Sequence, residues 1–280
     1  MKKKYIVSFF TIMILFGLGS VFTWVINRPI NPIKKFDLNT IKLDAKKQIM
    51  FDQFGETNFT CTGMTYDSKS NTIWIADYGL DKENEKMSPR LIEVDNDFNE
   101  VLVEIDLDEY VDDLFNLQGI SYDKLHNSLW LATGEYVFEI SKDGKQLSKF
   151  YMGDYAKYKS NGIAVDGDDI WVLCYEKYLL KLNRKGEVLN KYTFNFKDQD
   201  QIFIRNNKIY CTIGADYLGD NNFIFTFDIN TQEINNEFQI KSSNSIEGII
   251  IINDIMYIAN DGLFHSDIVG RSYITEYKIK

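Results

Sequence analysis

Proline, cysteine and histidine are all scarce in this chain: three, three and two among 280 residues. So few prolines, beside 15 % aromatics, suit many short strands packed through aromatic side chains. The cysteines Cys61, Cys174 and Cys211 lie far apart and form no CxxC or other metal-ligand spacing. They read as small buried hydrophobes, with one disulfide left open if the domain sits in an oxidising compartment. Excess positive charge is missing too. A formal charge of −10 and an isoelectric point near 4.8 argue against a nucleic-acid partner, which needs a basic patch. Also absent are a Gly-x-Ser-x-Gly elbow, a His-Glu-x-x-His helix, a P-loop and a Rossmann glycine pattern, which removes the chemistries those motifs serve.

Charge is absent altogether from Tyr5 to Ile26, after the lysines of residues 1–4. Twenty-two helical residues rise about 33 Å, enough to cross a hydrocarbon core. The preceding lysines orient the N-terminus inward, and Trp24 fits an interfacial anchor. Residues 5–26 are therefore expected to be a transmembrane signal anchor, holding the rest at the cell membrane outside the cytoplasm. A signal peptide cleaved near Gly17-Leu18-Gly19, giving a secreted domain, is the alternative. Residues 27–44 read as a tether, and residues 45–280 as one domain.

A repeat fills that domain. Five times a polar residue and a glycine (or its substitute) open a strand, and an aromatic follows about a dozen positions later. The copies are Thr62-Gly63-Met64 to Trp74, Gln118-Gly119-Ile120 to Trp130, Asn161-Gly162-Ile163 to Trp171, Asp200-Gln201-Ile202 to Tyr210, and Glu247-Gly248-Ile249 to Tyr257. A period of about 40–50 residues built from short strands is the signature of propeller blades. Turns such as Lys142-Asp143-Gly144 and Arg184-Lys185-Gly186 separate alternating runs as hairpins do. The fifth unit stops after three strands, and Gln48 to Phe54 alternates well enough to supply the fourth from the other end of the domain. The expected fold is all-β: a five-bladed β-propeller, with a six-bladed one as the alternative, closed by an N-terminal strand. Inserts at 78–89, 215–222 and 261–271 fall on the face where inner strands begin, where long loops concentrate function.

The polar openers Thr62, Gln118, Asn161, Asp200 and Glu247 are expected to ring the mouth of the central channel. Oxygen donors of this kind suit a hard cation such as Ca²⁺; equally they could line a water-filled channel or a ligand pocket. The fifth blade adds Asn260 and Asp261 at the exit of its second strand, with His265 four residues on. Glu247 and His265 are the candidate catalytic pair, as general base or metal ligand. Asp77, Asp216, Glu135 and Glu176 lie at analogous exits. His126, in a far-face hairpin, reads as solvated.

The strings TGMTYD…IWIAD, QGISYD…LWLA, NGIAVD…IWVL and EGIIII…MYIAND resemble the calcium-dependent propellers: NHL-repeat proteins, the SMP-30/gluconolactonase group and the SdiA-regulated group. That resemblance implies a divalent metal at the channel mouth, held at the positions of Glu247, Asn161 and Asp200. Gln201 departs from it where a glycine is expected. Phe59-Thr60-Cys61-Thr62-Gly63-Met64 is similar, more loosely, to the strand opening of plant-type glutaminyl cyclases, with Gln118 where an acidic residue would be wanted. The expected function is binding of a small molecule, peptide or envelope component at the mouth. A lactonase-, lyase- or cyclase-like enzyme is the alternative, and a protein-interaction platform a third.

Overall fold

A computed structural model describes residues 41–50, 59–78, 89–107, 117–174, 178–193, 199–213, 222–241, 243, 245–260 and 272–279. The segment expected to span a membrane (5–26), most of the tether, Asp261 and His265, Asp216, Glu176 and most of the three inserts lie outside them. Among the described residues no helix is long and apolar enough to cross a membrane.

Two short strands come first, β1 (Ile41–Leu43) and β2 (Lys47–Met50). The first blade is β3 (Cys61–Asp67), β4 (Thr72–Asp77), β5 (Arg90–Asp95) and β6 (Val101–Asp106). The second is β7 (Gly119–Asp123), β8 (Ser128–Ala132), β9 (Tyr136–Ser141) and β10 (Gln146–Tyr151). A 3-10 turn at Gly153–Tyr158 leads to the third: β11 (Ser160–Asp166), β12 (Asp169–Cys174), β13 (Tyr178–Leu182) and β14 (Val188–Thr193). The fourth is β15 (Gln199–Arg205), β16 (Lys208–Ile213), β17 (Asn222–Asp228) and β18 (Ile234–Ile240). The fifth has β19 (Ile246–Ile252), β20 (Ile255–Asn260) and β21 (Tyr273–Lys278), and β2 supplies its outermost strand, antiparallel to β21. Among the described residues the sheets form five blades, and residues 41–50 join blades four and five rather than building a sixth. The end of the expected tether is a strand instead: β1 adds to blade four, parallel to β18, with Ile41 opposite Phe238 and Leu43 opposite Ile240.

The core lies between blades. Five apolar clusters fill the five interfaces, one each. Trp74, Leu91, Leu131 and Phe138 join blades one and two, while Ile73, Ile75, Ile250 and Ile274 join blades one and five. Neighbouring residues of β4 thus enter opposite interfaces, which is why its six residues are all buried. Each fully buried aliphatic or aromatic side chain contributes about 2–3 kcal/mol. The three cysteines are buried, free thiols at these interfaces. Burial raises the Cys174 thiol to about 12 and Cys211 well above its ordinary value, so both act as apolar filler.

Two interfaces also carry a buried ionic clamp on the far face. In blade one, Asp67 accepts Lys69 and Ser70 backbone N–H bonds and the ammonium of Lys142 from blade two at 2.6 Å. Thr72 donates to Glu93 beside it, and the ammonium lies 5.8 Å from the Trp74 ring. One blade on, Asp123 accepts Leu125 and His126 N–H bonds and Arg184 of blade three at 2.6 Å. There Ser128 donates to Glu139, and the guanidinium lies over Trp130 at 5.2 Å. His126 is only half exposed, with Nδ1 3.1 Å from Asp123 rather than simply solvated. Burial pushes both aspartates up, but the cation and backbone donors outweigh it and hold them below the usual carboxylate value.

Candidate functional site

Inner strands β3, β7, β11, β15 and β19 stand around the axis, all starting at the same end. In four of them the pairing with the second strand slips within the first residues: at Thr62, at Asn161-Gly162, at Asp200-Gln201 and at Glu247. A bulge inserts an unpaired residue and re-aims its side chain, so the polar openers turn out of the ladder toward the mouth. The glycine after the opener is required by crowding. A Cβ on Gly119 would stand 2.2 Å from the Asn161 carbonyl oxygen, and one on Gly162 2.8 Å from the Ile202 nitrogen. Adjacent inner strands therefore meet backbone to backbone.

Most of the expected ring is spent on holding blades together. Thr62 donates its hydroxyl to the Leu117 carbonyl of blade two at 2.9 Å. Asn161 donates its amide to Asp200 of blade four at 3.1 Å. Gln118 contributes its backbone carbonyl, which accepts Gln201 Nε2 at 2.6 Å. Two outlying candidates are structural as well. Asp77 is 1 % exposed, accepts the Thr60 N–H and pairs with the Arg90 guanidinium at 2.8 Å. Asn260 is fully buried, its amide nitrogen facing the Ile258 and Tyr273 carbonyls and the Thr275 hydroxyl at 3.1–3.2 Å, and its Oδ1 meets no hydrogen-bond partner.

Glu247 is different. It is 8 % exposed, and its carboxylate accepts the Ser245 hydroxyl at 3.2 Å. Tyr78, directly after Asp77 at the exit of β4, lies close enough for the Glu247 charge to act on its phenol. Burial, and then the Glu247 charge, push the Tyr78 phenol above its ordinary value, so it remains an O–H donor at neutral pH. Neither Tyr78 nor Ser245 was singled out in the sequence. Only adjacency to Asp77 and to Glu247 could have pointed to them.

Of the expected metal trio, Asn161 and Asp200 are hydrogen-bonded to each other, and Glu247 accepts the Ser245 hydroxyl. Asn161 turns its amide nitrogen, not an oxygen, to Asp200. Among the described residues no three His, Cys, Asp or Glu side chains gather as a metal site.

No family model and no curated protein matches the sequence, so the NHL, SMP-30/gluconolactonase or SdiA-regulated grouping is not added to the fold. Solved structures of similar fold do match. The glutaminyl cyclase of Myxococcus xanthus aligns with a TM-score of 0.59 at 8 % identity, over 86 % of this chain and 100 % of that one. The hydrazine synthase of Kuenenia stuttgartiensis aligns with a TM-score of 0.48 at 12 % identity, over 73 % of this chain and 56 % of that one. The likeness is one of fold. The chain is a β-propeller.

Proposed function

We propose that this propeller is a binding module, held outside the cytoplasm by its N-terminal segment, that recognises the cationic end of a small molecule, peptide or envelope component at its axial mouth. Glu247 carries the reading. A carboxylate 8 % exposed at a bulge, accepting the Ser245 hydroxyl and acting on the Tyr78 phenol through its charge, offers a ligand cation a strong electrostatic partner. Asp200 adds a second carboxylate on the same ring. The overall charge of −10 favours approach of cations.

Dipeptides with free and with acetylated N-termini are suitable probes, titrated by NMR. Free-amine probes should shift mouth resonances, and Glu247→Gln should weaken them about tenfold or more. Equal binding of acetylated probes, or indifference to Glu247→Gln, would reject the reading. In the same variant, the Tyr78 phenol should titrate at lower pH than in wild type, because the neighbouring charge that holds its proton is gone.

An enzymatic reading is favoured by one observation, the carboxylate–phenol pair of Glu247 and Tyr78, which can accept and return a proton. His265 would be a further partner for it. In a cyclase-like reaction, Glu247 would take a proton from the attacking amine of an N-terminal glutamine and the leaving ammonia would carry one away. Ammonia release from glutaminyl dipeptides, abolished by Glu247→Gln, tests it; no release above the uncatalysed rate removes it.

A further inference from the structure

In four blades the residue after the opener is glycine, and in the fourth it is Gln201. Its side chain, 3 % exposed, does not stay with its own blade. It passes blade three and donates Nε2 to the Gln118 carbonyl of blade two at 2.6 Å, a chord across the axis. Room for it comes from two missing side chains: a Cβ on Gly162 would stand 3.0 Å from Gln201 Cα, and one on Gly119 3.1 Å from its Oε1. The residue is fixed at its other end as well, since its backbone N–H donates to the Thr212 hydroxyl at 2.8 Å. The same Nε2 lies 3.5 Å from Asp200 Oδ1, which already accepts Asn161. An amide anchored on both sides of the axis is a rigid obstacle at the level of the acidic ring.

We infer that Gln201 is the floor of the mouth and a specificity-determining residue: it closes the central channel, so the site takes a primary ammonium and turns away bulkier substituted cations. This deepens the proposal above and rests on it. Depth is limited because the chord lies at the same bulge level as Asp200 and near the openers that flank the cup. A primary ammonium presents three N–H donors to the carboxylates of the ring and comes to rest against the Gln201 amide, which lies 3.5 Å from Asp200 Oδ1. Added methyl groups on nitrogen remove donors and meet the Gln201 amide and the close-packed glycine backbones.

Methylammonium and tetramethylammonium are the probes, with affinities read by NMR titration of the full propeller domain. Wild type should bind methylammonium about tenfold or more tightly than tetramethylammonium. Gln201→Gly restores the residue type of the other four blades and should bring that ratio close to one. Gln201→Asn, which keeps the amide but is too short to reach Gln118, should move it in the same direction and serves if the glycine variant fails to fold. A folded variant with an unchanged ratio overturns the inference. If neither amine binds wild type, the cation reading fails, and with it the ammonium selectivity. The floor is then judged alone by high-resolution crystal structures: an ordered water file broken at residue 201 in wild type and continuous in Gln201→Gly upholds it, and a continuous file in wild type overturns it.

Discussion

At the mouth, similar polar residues at equivalent repeat positions have taken different work. Thr62 and Asn161 reach sideways to the next blade and act as pegs. Glu247 cannot act as such a peg, since a carboxylate cannot donate; it accepts the Ser245 hydroxyl, and its charge acts on Tyr78. The spacing of the repeat was enough to locate these openers, because each stands at the start of an inner strand, four of the five at a bulge. It could not tell peg from ligand group, which depends on what the adjoining blade presents. Gln201 shows the same limit: its departure from glycine is visible in the sequence, whereas its span to Gln118 requires knowing that blades two and four face each other. The glycines are equally contextual. Gly119→Ala places a Cβ against the Asn161 carbonyl, backbone that has no room to retreat. The substitution should cost about 3 kcal/mol or more, measured by chemical denaturation; a change under about 0.5 kcal/mol would mean the inner strands are looser than described.

At the scale of strands and turns, the hairpins at Lys142 to Lys145 and Arg184 to Gly186 are more than connections. Their first residues are the cations that lock one blade to the one before it. Sequence reading found the turns from their glycines, and the left-handed backbone of Gly144 (φ 88°) and Gly186 (φ 80°) agrees. The clamp partners Asp67 and Asp123 lie tens of residues away and share no local pattern with the cations. Arg184→Met strands Asp123 in a buried site and should cost about 2 kcal/mol, less than a fully enclosed pair because the guanidinium is 21 % exposed. Acid should act on the same bonds. Asp67 and Asp123 have folded-state values below the unfolded value of about 3.9. Their contribution is therefore complete above that value and is lost as pH falls through the lower folded ones. The stability of wild type should fall more steeply below about pH 4 than that of Asp123→Asn, as followed by urea midpoints against pH. Parallel curves would show that Asp123 is not held in the clamp.

For the molecule as a whole, ring closure depends on ten residues far from the C-terminus in sequence. β2 covers the last blade and β1 covers the edge of the fourth, burying Ile49 at the interface of blades five and one and Leu43 at that of blades four and five. A chain starting at Thr40 keeps both strands; one starting at Phe51 loses both and exposes two unpaired sheet edges. The shorter chain should melt about 10 °C lower, from two lost apolar side chains at about 2 kcal/mol each, and should associate in size-exclusion chromatography. Identical melting of the two would show that the ring closes without them. Calcium is expected to leave the melting temperature unchanged against chelator, since Asn161 faces Asp200 as a donor; a rise with calcium would put a native-state metal site back.

The sequence by itself determined the propeller fold, a count of five blades with six as the alternative, and a closing strand from the N-terminal side, because strand alternation, turn glycines and repeat spacing are local and act within one hairpin. Only the tertiary structure decided which of those side chains brace the ring, that Gln201 reaches Gln118, and that the Glu247 charge acts on Tyr78. Those contacts join residues separated by 39 to 169 positions, and chain distance holds no trace of them until the blades have closed into a circle.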